Sequence, residues 1–98
     1  MSKISVFLVD DHHLVREGFK AILTSMSDSI TICGEAINGQ HLIRQLATAD
    51  SLPDVVLMDV IMPDMNGIKA TEILNRDYPS VQVMALSMIK KSMHIKQM

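Results

Sequence analysis

The sequence has a single cysteine, Cys33, so no disulfide can form within the chain. Cys33 lies in the apolar-leaning run 30–33, which predicts a small residue in the core. No apolar stretch approaches the roughly 20 residues that a membrane-spanning helix needs. The short apolar run near the N-terminus ends in two acids, which is not the pattern of a signal peptide. These absences favour a cytoplasmic protein.

The sequence also lacks an excess of charge of either sign. Its 9 basic and 11 acidic residues are interspersed and give a formal net charge of −2. Such a balance predicts no basic surface for nucleic acid or for an anionic membrane, so these residues alone are not expected to bind either. A length of 98 residues with 48% hydrophobic content suits one small domain with a core and argues against global disorder.

Two apolar runs end abruptly on acidic side chains. The run 55–58 is apolar at every position, as in a central strand of a parallel sheet, and Asp59 follows it. The run 4–9 ends in the same way on Asp10 and Asp11. Open α/β sheets build their sites at the carboxyl ends of their strands. The sequence therefore predicts one acidic pocket fed from two neighbouring strand ends.

Strands alternate with helices along the rest of the chain. The first helix is predicted to begin under a cap from Asp11 and to turn Val15, Phe19, Ile22 and Met26 inward. The alternation indicates a parallel sheet covered by helices on both faces, joined by right-handed crossovers. The predicted elements are strand 3–9, helix 12–26, strand 30–36, a helix opened by residues 38–39, strand 55–58, a helix after loop 63–67, strand 81–86 and a short helix at 92–98.

Four motifs follow the predicted strands at matching spacing. They are Asp10-Asp11, Asp59, the loop Met62-Pro63-Asp64-Met65-Asn66-Gly67, and Ser87. With these motifs the whole chain resembles a response regulator receiver domain, and residues 9–19 resemble the NarL/FixJ-type transcriptional regulators in particular. The resemblance implies an α/β, flavodoxin-like (CheY-like) doubly wound parallel sheet with strand order 2-1-3-4 and the fifth βα unit missing. Residues 1–98 would then be a receiver domain truncated after strand 4 and part of helix 4, with no effector domain.

The resemblance also implies a function in two-component signal transduction. Asp59 would accept a phosphoryl group from a sensor histidine kinase and also bind Mg²⁺. Asp11 would coordinate the metal directly, Asp10 mainly through water, and Ile61 through its backbone carbonyl. Ser87 would hydrogen-bond a phosphoryl oxygen and move toward it. Such a domain is a phosphoacceptor module rather than an enzyme, and in a full-length protein it would regulate a DNA-binding transcriptional output.

These residue types suit that chemistry. Phosphoryl transfer asks a protein mainly for positioning and for neutralisation of charge. Mg²⁺ prefers hard oxygen ligands, and a cation relieves the repulsion among clustered carboxylates. His12 and His13 are interpreted as surface residues of the first helical turn, available to a partner kinase, because no further histidine or cysteine complements them as metal ligands.

The chain departs from the family pattern near its C-terminus. The family's fifth strand normally ends in a lysine that pairs with the phosphoryl group. No residue here takes that place, because Lys90 and Lys91 follow the wrong strand. Without strand five, the apolar strand four is an open edge. That edge predicts a homodimer or a segment-exchanged oligomer through residues 81–98.

Two alternative hypotheses come from other functional classes. In the first, the chain is a degenerate receiver that serves as a dimerisation or interaction module without being phosphorylated. In the second, it is a Mg²⁺-dependent phosphohydrolase with Asp59 as its nucleophile. The common aspartyl-phosphate hydrolases have a second acid two residues after the nucleophile, and Ile61 at that position argues against turnover.

Overall fold

The structure, a computed structural model, describes residues 3–58 and 67–85. The described elements are β1 Ile4–Val9, α1 His13–Thr24, β2 Ile30–Ala36, α2 Gly39–Ala47, β3 Val55–Met58, α3 Gly67–Asp77 and β4 Gln82–Ala85. Their strands form one parallel sheet with the order β2-β1-β3-β4. The predicted doubly wound sheet with strand order 2-1-3-4 is therefore confirmed. The helix predicted at 92–98 lies outside the described residues.

The central strand β3 explains why its run is apolar at every position. It pairs with β1 on one side and with β4 on the other, and Val56 and Met58 are fully buried. Val9 is the register partner of Met58, so β1 and β3 end side by side at one edge of the sheet. Asp10, which follows β1, therefore lies at the edge of the sheet where β3 also ends.

The two faces of the sheet are packed by different helices, as predicted. The face under α2 and α3 holds the larger cluster, whose members are Phe7, Val9, Ala36, Leu42, Leu46, Val56, Met58, Ala70, Leu74 and Val81. The opposite face holds Val6, Leu8 and Leu57, against which Phe19 and Leu23 of α1 pack while remaining partly exposed. Within residues 3–58 and 67–85, no helix is long and apolar enough to cross a membrane.

The predicted inner stripe of α1 is only partly right. Phe19 packs toward the sheet, but Ile22 is 49% exposed and Met26 is 48% exposed. Phe19 and Leu23 are four residues apart and share the face that meets the sheet, whereas Ile22 points to one side of it. The helix also ends at Thr24, so Met26 lies beyond it. None of the twelve residues of α1, all of which the structure describes, is buried.

The prediction that Cys33 is a core residue is wrong, because Cys33 is exposed. The register of β1 against β2 shifts at this point, since Val6 pairs with Ile32 whereas Phe7 pairs with Gly34. Cys33 is thus the extra residue of a β-bulge and has no register partner in β1, although its Sγ donates to the Val6 carbonyl at 3.5 Å. Beside it, a Cβ on Gly34 would lie 2.5 Å from the ring of Phe7, so the bulge requires glycine there.

Candidate functional site

The site begins at Asp10, the first residue after β1. Its side chain is fully buried, and its backbone N–H donates to the carbonyl of Ala36 at 3.2 Å. Its Oδ1 accepts a hydrogen bond from the backbone N–H of His12 at 2.9 Å. A carboxylate that bonds the amide two residues ahead stabilises a tight turn between strand and helix. Hydrogen bonds to the backbone therefore hold both the main chain and the carboxylate of Asp10.

This turn corrects the predicted helix cap. His12, and not Asp11, is the N-cap residue of α1, and its side chain makes no capping hydrogen bond. Asp11 therefore precedes the cap position. Its carboxylate is free of that role and lies beside the buried carboxylate of Asp10 at the edge of the sheet.

Three side chains converge at this edge. His12 Nδ1 lies 3.1 Å from Asp10 Oδ1 and 3.0 Å from Asp11 Oδ1. One potential ligand atom from each of the three residues lies within 4.8 Å of the others. The predicted acidic pocket joins two strand ends, and the structure describes one of them, where Asp10 and Asp11 lie together. His12 is exposed, as predicted, but its contact with both acids was missed, although its place directly after the acid pair was a usable signal.

The donor set fits a divalent cation. Protein oxygen atoms bind Ca²⁺ at about 2.3–2.6 Å, so atoms within 4.8 Å of one another can share a Ca²⁺ ion. Mg²⁺ binds at about 2.0–2.1 Å, so its direct ligands must lie within about 4.2 Å of one another. Two adjacent carboxylates repel each other, and one of them, Asp10, is buried, which increases the benefit of a nearby positive charge. Hard carboxylate oxygens favour Mg²⁺ or Ca²⁺, and the imidazole of His12 adds a nitrogen at the same place.

A second polar group ties this turn to β2. Arg16 Nη1 donates to the backbone carbonyl of Asp10 at 2.7 Å, and Arg16 Nε donates to Glu35 Oε1 at 3.1 Å. Lys20 Nζ reaches Glu35 Oε2 at 2.9 Å. Lys20, followed by Arg16, lowers the pKa of the Glu35 carboxyl below its ordinary value, and Glu17 and Glu35 raise the pKa of Lys20.

Sequence reasoning missed this group. The available signal was a pair of cations one turn apart on α1, together with the only acid in the otherwise apolar or neutral strand β2. Hydrogen bonds between side chains distant in sequence depend on how α1 is placed over β2, and the pattern of residues alone does not supply that placement.

The remaining predicted site residues, Asp59, Ile61 and Ser87, lie outside the described residues. What the structure describes is the strand that leads to the first two. Met58 is the last residue of β3 and the register partner of Val9, which directly precedes Asp10. The roles of Asp59, Ile61 and Ser87 stay predictions.

Comparison with known proteins identifies relatives of the chain. The response regulator receiver domain family matches residues 6–98. The chain is 39% identical over 84 residues to the response regulator protein VraR of Staphylococcus saprophyticus, covering 86% of the chain and 39% of VraR. It is 38% identical over 86 residues to the transcriptional regulatory protein DegU of Brevibacillus brevis, covering 88% of the chain and 35% of DegU.

Solved structures give the same relationship. The chain matches RcsB from Salmonella enterica serovar Typhimurium, bound to a promoter in the presence of the phosphomimetic BeF3⁻, with a TM-score of 0.74 and 27% identity, over 85% of the chain and 41% of RcsB. The isolated REC domain of RcsB, also with BeF3⁻, matches with a TM-score of 0.75 and 25% identity, over 86% of the chain and 61% of that domain structure. The chain thus spans less than half the length of the curated relatives VraR and DegU.

Proposed function

Because the chain belongs to the response regulator receiver domain family, we propose that it is a phosphoacceptor module in which Asp59 receives a phosphoryl group from a sensor histidine kinase. One observation carries this proposal: Asp10 and Asp11 converge at the sheet edge where β3 leads into Asp59. The presence of the phosphomimetic BeF3⁻ in the RcsB structures supports the same chemistry for that relative.

The chain's own residues divide the work. Asp11, Asp59 and the carbonyl of Ile61 would hold Mg²⁺ directly, and Asp10 would act mainly through water because its Oδ1 already accepts the N–H of His12. When bound, Mg²⁺ neutralises charge on the acceptor and on the transferred phosphoryl group. A carboxylate oxygen of Asp59 forms the new O–P bond as the N–P bond of the donor phosphohistidine breaks. The hydroxyl of Ser87 donates a hydrogen bond to a phosphoryl oxygen.

The proposal includes control of transcription, but not direct DNA contact by these residues. DegU is named a transcriptional regulatory protein, and RcsB has been solved with promoter DNA. Those proteins are more than twice as long as the part that this chain matches. The net charge of −2 supports a role in which DNA is bound elsewhere. We place the module in the cytoplasm, where the lone thiol of Cys33 would stay reduced.

Self-association through residues 81–98 is part of the proposal. Among the described strands, β4 is an edge of the sheet. Its Gln82 and Met84 side chains are exposed, whereas Val83 and Ala85 are partly buried. RcsB has been solved as dimers on DNA. Light scattering at micromolar concentration is expected to give more than the 10.9 kDa of a single chain. A mass equal to one chain contradicts the proposed oligomer. It does not bear on phosphorylation of Asp59, which is tested separately.

The decisive test is the intact mass of the chain after incubation with Mg²⁺ and acetyl phosphate, with Asp59→Asn and a chelator-treated sample in parallel. The proposal predicts the gain of one phosphoryl group by the parent chain, no gain by Asp59→Asn, and no gain without the metal. Persistence of the added mass in Asp59→Asn would overturn the assignment of the acceptor. No gain by a parent chain that binds the metal would favour the unphosphorylated interaction module instead.

A further inference from the structure

We propose that Arg16 is a positioning residue for the candidate metal site: its guanidinium fixes the peptide between Asp10 and Asp11 and so orients both carboxylates. The inference rests on the proposed function for the identity of the site, but it concerns how the site is held together. Arg16 is not a ligand in this account, because guanidinium has no lone pair to offer a cation.

Arg16 contacts the backbone of Asp10 directly. Arg16 Nη1 donates to the Asp10 carbonyl oxygen at 2.7 Å, a short bond for a charged donor. That carbonyl belongs to the planar peptide that joins Asp10 to Asp11, so fixing the direction of its C=O also fixes where Asp11 begins. The N–H of Asp10 is already held by Ala36 at 3.2 Å.

The guanidinium of Arg16 is itself held in place by Glu35. Its Nε donates to Glu35 Oε1 at 3.1 Å, and only 13% of its side chain is exposed. A planar guanidinium can serve two acceptors in fixed directions at once, which a lysine ammonium does far less well. Through Glu35 the turn at the end of β1 is thereby tied to the neighbouring strand β2.

Apolar packing contributes less to locating the first turn of α1, because Phe19 and Leu23, which pack on the sheet, lie farther along the helix. The helix begins directly after the acid pair, yet none of its residues is buried. Its first turn is therefore located chiefly by the hydrogen bonds of Arg16 and by the turn at Asp10. Loss of Arg16 is expected to loosen the acid pair much more than it loosens the core of the sheet.

The test compares Arg16→Met with Lys20→Met in the full chain, using Mn²⁺ alone as the probe and the EPR signal of the free ion as the readout. Both substitutions remove a cation that contacts Glu35, but only Arg16→Met removes the bond to the Asp10 carbonyl. Loss of an outer residue that orients metal ligands typically weakens metal binding by about 10–100-fold, and we expect Arg16→Met to fall in this range. Lys20→Met is expected to bind Mn²⁺ like the parent.

A purely structural role gives a different result. It predicts that both variants melt at lower temperature and that both keep the parent's dissociation constant for Mn²⁺, which would overturn the inference, as would equal weakening in both. If Arg16→Met does not fold, as judged by circular dichroism, Arg16→Lys replaces it. One ammonium group cannot reproduce the fork, so Arg16→Lys must also weaken Mn²⁺ binding.

The same samples separate this inference from the proposed function. Phosphorylation by acetyl phosphate at saturating Mg²⁺ is measured on the parent chain, so that the proposed function is tested without Arg16→Met. A parent chain that binds Mn²⁺ but is never phosphorylated contradicts the proposed function while the comparison of Arg16→Met with Lys20→Met still decides the positioning role. A parent chain that binds no Mn²⁺ overturns the positioning role together with the metal site.

Discussion

The two faces of the sheet are stabilised in different ways. Under α2 and α3 the cluster includes fully buried residues from both helices, such as Leu42 and Leu74. On the other face α1 contributes only partly buried side chains, and Leu14 is 84% exposed. Besides the packing of Phe19 and Leu23, polar contacts hold α1: the bonds from Arg16 and Lys20 to Glu35, and the bond from Arg16 to the Asp10 carbonyl.

The difference shows how a small domain can carry an acidic site without weakening its core. The well-packed face supplies the stability of the sheet, and the helix beside the site is located by directional hydrogen bonds. Directional hydrogen bonds fix the orientation of α1, but they tolerate few substitutions at Arg16. Three sets of variants can break or sharpen this comparison, from the largest expected effect to the smallest.

The largest effect is expected from a truncation on each face. Leu42→Ala removes a fully buried side chain and should lower the free energy of unfolding by about 2–5 kcal/mol. Ile22→Ala, on the exposed side of α1, should change it by about 0.5 kcal/mol or less. Urea denaturation followed by circular dichroism measures both. Similar losses in the two variants would mean that α1 is packed as tightly as α2.

A smaller effect is expected from a matched pair of glycine substitutions. Gly34→Ala forces a Cβ to within 2.5 Å of the Phe7 ring, which belongs to the larger cluster, and should cost about 1–3 kcal/mol. Gly18→Ala places a methyl in open space within α1 and should stabilise the fold by about 0.5–1 kcal/mol. The midpoint temperature of thermal unfolding is expected to fall in Gly34→Ala and to rise in Gly18→Ala. Stabilisation by Gly34→Ala would contradict the close approach at the bulge.

The smallest effect concerns how the stability contributed by the bonds of Arg16 and Lys20 to Glu35 depends on pH. Lys20, followed by Arg16, lowers the pKa of Glu35 from its ordinary 4.5, so this carboxylate contributes stability above about that pH and loses it as the pH falls through the lowered pKa. Glu35→Gln should therefore be slightly less stable than the parent at neutral pH, and the gap should close in acid. The gap is small because Glu35 is 37% exposed. A difference in stability between Glu35→Gln and the parent that widens below pH 4.5 would contradict a lowered pKa of Glu35.

Much of the fold could be predicted from the sequence because its signals are local. The uniformly apolar run of β3 predicted a strand with neighbours on both sides, and the alternation of elements predicted the parallel sheet. One acidic pocket at two strand ends was predicted because Asp10-Asp11 and Asp59 each follow an apolar run, and the structure describes the Asp10-Asp11 side of it. Asn38 opens α2 as expected, and its side chain accepts the N–H of His41 at 2.8 Å.

The wrong predictions depended on packing between distant segments. Cys33 is exposed because β1 and β2 change register beside it, which no pattern within either strand announces. Ile22 is exposed because of the rotation of α1 over the sheet, and the contacts of Arg16 have the same origin. The roles of Asp59, Ile61 and Ser87 depend on the family resemblance and await the phosphorylation experiment.

Whether the carboxyl edge of the sheet binds a divalent cation can be measured by adding substoichiometric Mn²⁺ and recording amide resonances. We expect the strongest paramagnetic broadening at Asp10, Asp11 and His12. Ser5 and Asp54 mark the opposite end of the same strands, where Asp54 Oδ2 accepts the Ser5 N–H at 2.9 Å, and they should broaden least. Broadening centred on Asp54, or spread evenly over the exposed acids, would contradict the account.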